Sequence, residues 1–207
     1  MPRPVADYAA ILADLDGTLV ESSGPIARAW AAFASRHGLD PDWVIRAAQG
    51  RPSRETIAQL APDDLEIESR RLEEAEVTDT DGVVALPGAA ELLGAPLPLA
   101  IVTSCSRRLA TVRLRAAGLP VPAVMVTADD VTNGKPDPEC YLRGAQRMNS
   151  DPGECLALED APAGIAAARA AGMDVIALRT THPETELSGA SAIVDDLSAL
   201  AVPAAGP

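Results

Sequence analysis

The feature that most constrains this chain is a set of short, wholly apolar runs, several of which end abruptly in a polar tip. Tyr8–Ala13 empties into Asp14-Leu15-Asp16-Gly17-Thr18. Comparable runs recur at Leu97–Val102, Ala123–Val126, Cys155–Leu158 and Val175–Leu178, with a weaker one at Ala192–Val194. Runs this short and continuous suit strands buried on both faces, since a half-exposed strand would alternate apolar and polar residues. Between them lie Ala-rich stretches of helical period, Arg107–Ala117, Glu139–Met148 and Ala163–Ala171. Gly118, Gly172 and Gly189 fall where helices would need a left-handed terminating residue.

Strands alternating with helices predict an α/β, Rossmann-like parallel sheet with helices on both faces. The segment 22–84 breaks the rhythm. It offers no convincing strand and four helical stretches: Pro25–His37, Pro41–Ala48, Ser53–Leu60 and Asp63–Val77. The predicted organisation is therefore a Rossmann-like core formed by 1–21 and 85–207, with 22–84 as an all-helical insertion. The charges of the fourth stretch (Glu66, Glu68, Arg70, Arg71, Glu73, Glu74, Glu76) read as a solvated face, and Trp30, Phe33 and Trp43 read as the core of the insertion. Val202–Pro207 reads as a frayed tail.

Charge narrows the partners. Seventeen basic residues stand against thirty acidic ones, a net charge of −13. Nucleic acid and anionic lipid need Lys/Arg-rich patches, so neither is an expected partner. No run reaches the ~18 apolar residues of a spanning helix, and the first residues show no secretion signal. Three widely spaced cysteines, Cys105, Cys140 and Cys155, suit reduced thiols in a cytoplasm. The expected state is a monomer or weak homodimer. An anionic ligand entering so acidic a protein requires locally concentrated positive charge.

Ligands of such sheets bind beyond the carboxyl ends of the strands, and four polar signatures fall there. The first is Asp14-Leu15-Asp16-Gly17-Thr18. Crowded carboxylates are costly without a cation, and hard oxygen donors suit Mg²⁺. The second is Thr103-Ser104, whose hydroxyls and backbone N–H groups open a helix and suit phosphate oxygens. The third is Lys135, fixed between Gly134 and Pro136. The fourth is Glu159-Asp160, a strand end leading at once into a helix with Pro162 in its first turn. Together they assemble a phosphoryl-transfer site. Asp14 is the candidate nucleophile and Asp16 the candidate general acid and base. Thr103 and Lys135 would hold the equatorial phosphate oxygens. Asp14, the Asp16 main chain, Asp160 and Glu159 are the candidate cation ligands. This reading requires acids from two separate strand ends to converge on one point.

These four segments, in this order, resemble the motifs of the haloacid dehalogenase superfamily, and the likeness covers nearly the whole chain. It is nearest to the sugar and polyol phosphatases of that group, acting on hexose phosphates, 2-deoxyglucose 6-phosphate or glycerol 3-phosphate. Val126–Val131 running into Gly134-Lys135-Pro136, Tyr141–Ala145 and Glu159–Ile165 carry that closer likeness. The resemblance implies a Mg²⁺-dependent phosphatase of a small phosphorylated sugar or polyol, working through an aspartyl-phosphate. A β-phosphoglucomutase-like phosphotransferase is the alternative. Such mutases resemble this chain but carry Val where Thr18 stands and a cap histidine where a like-for-like count reaches Ile26. The loop Gly50-Arg51-Pro52-Ser53-Arg54 resembles the substrate-specificity loop of relatives, making Arg51 and Arg54 candidate substrate readers. Two departures are Ala13, where relatives carry Phe, and Cys105, where near relatives carry Gly.

Overall fold

The computed structural model describes residues 3–48 and 52–203. Its elements open with β1 (Ala10–Ala13) and β2 (Val20–Glu21), followed by four helices: α1 (Ser23–His37), α2 (Pro41–Ala48), α3 (Ser53–Leu60) and α4 (Leu65–Thr78). The chain returns through β3 (Val84–Ala85) and α5 (Ala89–Gly94). Three strand–helix repeats then follow: β4 (Leu99–Val102) with α6 (Arg107–Ala116), β5 (Met125–Val126) with α7 (Glu139–Arg147), and β6 (Cys155–Glu159) with α8 (Pro162–Ala170). The last strands are β7 (Asp174–Leu178) and β8 (Ala192–Val194).

Six strands form one parallel sheet in the order β5-β4-β1-β6-β7-β8. All four residues of β1 are buried, as a run apolar at every position requires. The two-residue period divides them between opposite faces. Ile11 and Ala13 join a core with Ala110 and Leu114 of α6, while Ala10 and Leu12 join one with Tyr141 of α7 and Ala168 of α8. The predicted α/β class and every predicted sheet strand are present. The predicted Ala123–Val126 strand is shorter, pairing over Met125–Val126 alone, and the Cys155 strand runs one residue further, through Glu159.

Register levels the chemistry. Ala13 of β1 pairs with Ile101 on one side and Leu158 on the other. Asp14 N–H donates to Leu158 O at 2.9 Å, and Thr103 N–H donates to Val126 O at 2.9 Å. The central strand therefore delivers Asp14 between the tips of β4 and β6, where the order of strands reverses.

Helices α1–α4 build a separate apolar cluster from Trp30, Phe33, Val44, Ile57 and Leu72. Two expectations fail here. Trp43 is 48% exposed and no part of this cluster. The charged face of α4 is not wholly solvated: Glu68, Leu72 and Glu76, spaced by four, point inward. Arg36 and Arg71 pair with Glu68 at 2.6 and 2.7 Å and hold its carboxyl below the usual range. The segment is bounded by β2 and β3, an antiparallel ribbon of two residues per strand. Elements that short carry no periodicity, so neither the ribbon nor the six-residue α5 was legible in the sequence.

Candidate active site

Lys135 organises the site. Its loop follows β5 and reaches across the sheet end, burying the side chain. The ammonium donates to Asp14 Oδ1 at 2.6 Å, Glu159 Oε1 at 2.5 Å and Val102 O at 3.1 Å. Its three protons thus meet acceptors from the ends of β1, β4 and β6. Burial works against the amine's charge, yet Asp14 and Glu159 outweigh it and hold Lys135 above its ordinary value.

Asp14, Glu159 and Asp160 are all buried, each with a carboxylate oxygen within 4.8 Å of the others. The convergence demanded by the sequence is met. Burial, opposed by Lys135 and reinforced by Glu159 and Asp160, raises Asp14 well above the carboxylate range. Burial and then Glu159 push Asp160 to about 7. One lysine does not neutralise three buried acids, and this surplus of hard oxygen charge is what a divalent cation such as Mg²⁺ fits. Thr18 donates to Asp160 Oδ1 at 3.2 Å, and Thr181 donates to Oδ2. Glycine is required at two places. Gly17 sits at φ +77°, and a Cβ there would overlap the Asp160 carboxylate; a Cβ at Gly164 would overlap that of Glu159.

Asp16 faces a different group. Its Oδ1 accepts from Ser22 Oγ at 2.6 Å, and its Oδ2 from Arg113 Nη1 at 2.6 Å and Cys105 Sγ at 3.0 Å. Cys105 N–H in turn donates to Thr103 Oγ1 at 3.1 Å. The Cys105 thiol stands in the Asp16 neighbourhood, where burial and then Asp16 push it well above its normal pKa, leaving a weak nucleophile.

A cavity of about 660 Å³ opens between α1–α4 and the strand tips, lined by Asp14, Asp16, Thr103, Ser104, Lys135 and Asp160 on one side and by Trp30, Arg54 and Glu76 on the other. Ile26 also lines it. Arg54 pairs with Glu66 and remains more than half exposed at the cavity wall. Arg51 lies outside the described residues.

Several contributors escaped the sequence reading. Tyr141 donates to Glu159 Oε1 at 2.6 Å from the buried face of α7. Thr180 donates to Gly17 O, and His182 Nδ1 lies 3.2 Å from Asp160 O, so the end of β7 also reaches the site. Arg113 and Glu76 carried one signal: each is a charge on the apolar face of an amphipathic helix.

The family profile described as haloacid dehalogenase-like hydrolase matches residues 8–172. Hexitol phosphatase A of Escherichia coli is 43% identical over 92% of each chain. Validoxylamine A 7'-phosphate phosphatase of Streptomyces hygroscopicus subsp. limoneus is 38% identical over 97% of this chain and 99% of its own. Among solved structures, CbbY of Rhodobacter sphaeroides in complex with phosphate superposes with a TM-score of 0.81 at 27% identity, covering 94% and 96% of the two chains. With a parallel sheet that brings the ends of three strands to one buried lysine, and a profile match across most of its length, this chain belongs to the haloacid dehalogenase-like hydrolases.

Proposed function

We propose that this enzyme is a Mg²⁺-dependent phosphatase of small phosphorylated sugars or polyols, working through a phosphoryl group carried on Asp14. The observation that bears most weight is the convergence of Asp14, Glu159 and Asp160 around Lys135 beneath one cavity. The relatives named hexitol phosphatase A and validoxylamine A 7'-phosphate phosphatase support the substrate class.

Asp14, Asp160 and the Asp16 main chain would hold the cation, with Glu159 adding its charge while its Oε1 takes Lys135 and Tyr141. Bound there, the cation screens the repulsion between a carboxylate nucleophile and an anionic phosphate. Asp14 attacks phosphorus as the bond to the leaving oxygen breaks. Asp16 gives that oxygen its proton, then takes one from the water that frees phosphate from Asp14. The hydroxyls of Thr103 and Ser104 hold the phosphate oxygens that carry charge in the transition state, and Lys135, fixed on Asp14, adds its positive charge beside them.

Helices α1–α4, residues 22–84, act as a cap that closes the cavity and reads the part of the substrate beyond phosphate, with Arg54 at its wall. Ile26 in the cavity lining supports hydrolysis over transfer between sugar positions, because it offers no proton donor or acceptor.

The test is phosphate release from a panel of hexitol, hexose and glycerol phosphates, with Mg²⁺ or with a chelator. Turnover is expected only with Mg²⁺, and Asp14→Asn is expected to lower it by ~10³-fold or more. Equal turnover by wild type and Asp14→Asn would remove Asp14 from its role.

A further inference from the structure

Helix α6 carries an arginine where its period asks for an apolar residue. Arg113 shares its inner face with Leu109, Ala110 and Leu114 and is 2% exposed. Helical side chains lean toward the N-terminus, so an arginine in the last turns of α6 reaches back toward the strand tips. Its guanidinium lies between two carboxylates from distant parts of the chain. Nη1 is 2.6 Å from Asp16 Oδ2, and Nη2 is 2.6 Å from Glu76 Oε2 on α4. Nη1 also lies 2.9 Å from Cys105 Sγ, while Nε has no partner among the described residues.

Stability alone does not account for this arrangement. A buried ion pair returns its desolvation cost only with excellent geometry and full hydrogen bonding, and an apolar residue would fill the same space at no such cost. The arrangement does fix position. A guanidinium is a rigid planar fork, so with one nitrogen on Glu76 the other has a narrow range of places to meet Asp16. With Ser22 on Oδ1 and Arg113 and Cys105 on Oδ2, both Asp16 oxygens are held. Helix α4 is itself anchored to α6 by Glu73 with Ser106 and by Glu74 with Arg108 at 2.7 Å, so Glu76 takes its position from that seam.

We propose that Arg113 is a positioning residue for Asp16, and that Glu76, on the helical insertion, sets where Arg113 holds it. The proposal rests on the reading of Asp16 as the group that protonates the leaving oxygen. In that step the phosphorus–oxygen bond breaks, the bond to Asp14 forms, and the proton passes from the Asp16 carboxyl to the departing oxygen. It returns to Asp16 from the water that hydrolyses the phosphoryl-enzyme. An orientation defect in Asp16 therefore falls hardest on substrates whose leaving oxygen needs a proton.

The test compares glycerol phosphate, which leaves as an alkoxide unless protonated, with 4-nitrophenyl phosphate, which leaves as a stable anion. The value of kcat/KM covers steps up to leaving-group departure and isolates protonation from later hydrolysis. Asp16→Asn is the reference, expected to lose ~10²-fold or more on glycerol phosphate beyond its loss on the nitrophenyl ester. The double variant Arg113→Met/Glu76→Met replaces the buried pair by apolar side chains of similar volume, a change that folded proteins commonly tolerate. It is expected to show the same bias at ~10-fold or more. Arg113→Lys, which keeps the charge and loses the fork, is expected to show a smaller bias of the same sign.

Equal losses on both esters, or no loss on either, overturn the proposal while leaving the acid role of Asp16 intact if Asp16→Asn keeps its bias. A rise in KM for glycerol phosphate with kcat preserved also overturns it, because Arg113 then touches substrate rather than Asp16. Absence of bias in Asp16→Asn itself refutes the acid–base reading directly.

Discussion

Substituting alanine for Gly164 tests the site without replacing any of its polar side chains. Gly164 lies in the first turns of α8, and a Cβ there would overlap the Glu159 carboxylate. In an exposed helix the change would help by ~0.5–1 kcal/mol, since glycine is the more disordered residue when unfolded. Here the carboxylate has to move. It accepts from Lys135 at 2.5 Å and from Tyr141 at 2.6 Å. Hydrogen bonds to a charged partner contribute ~1.5–3 kcal/mol each, so losing both outweighs the propensity gain and leaves a net loss of ~2–5 kcal/mol. For a chain of this size that corresponds to a fall in Tm of roughly 5–15 °C. Urea denaturation in a double-mutant cycle is the assay. In a Glu159→Ala background the overlap has no target, and Gly164→Ala should be neutral or stabilising. A loss equal in both backgrounds, or no loss in wild type, would refute the argument that glycine stands there to admit the carboxylate.

Two further predictions concern protons. Burial, with Arg113 opposing it, raises Glu76 from 4.5 to about 6. The folded state then binds more protons than the unfolded one between those values, so this contribution is present below pH 4.5 and lost as pH rises through 6. The stability of wild type relative to Glu76→Gln should fall by about 2 kcal/mol between pH 4 and pH 7; a flat difference would contradict the burial of that carboxyl. At the cation site, Asp160, raised to about 7, must lose its proton to become a ligand. Mg²⁺ affinity should therefore rise from pH 6 to pH 8 as Asp160 and Asp14, both raised by burial, give up their protons. Calorimetry in buffers of different ionisation enthalpy reads the released proton, and an affinity constant from pH 6 to pH 8 would count against Asp160 as a ligand.

Much of the site was legible because the motifs are local. Asp14-Leu15-Asp16-Gly17-Thr18 follows a run too apolar to lie anywhere but inside a sheet, and Glu159-Asp160 ends another such run. Lys135 sits in a glycine–proline loop, which signals a fixed rather than a solvated charge. The unread part involves side chains whose purpose depends on a distant partner. Glu68 and Glu76 belong to a run of seven charges that is indistinguishable, residue by residue, from a solvated face. Only their spacing with Leu72 marks the inner side of α4. Trp43 shows the opposite error, an aromatic residue left half in solvent because the short helix α2 turns Val44 and Ala48 inward instead.

The sequence by itself determined the succession of the six sheet strands, the parallel class of the sheet, the four helices that follow its first strand and the chemical kind of each strand-tip residue. These follow from periodicity and local turn chemistry, which act over a few neighbours. Tertiary structure alone decided which acids meet Lys135, that Asp16 turns toward Arg113 and away from the three-carboxylate cluster, and that Glu76 reaches the core from α4. Those outcomes depend on strand register and on packing between segments up to 121 residues apart, distances over which a pattern of letters carries no angle.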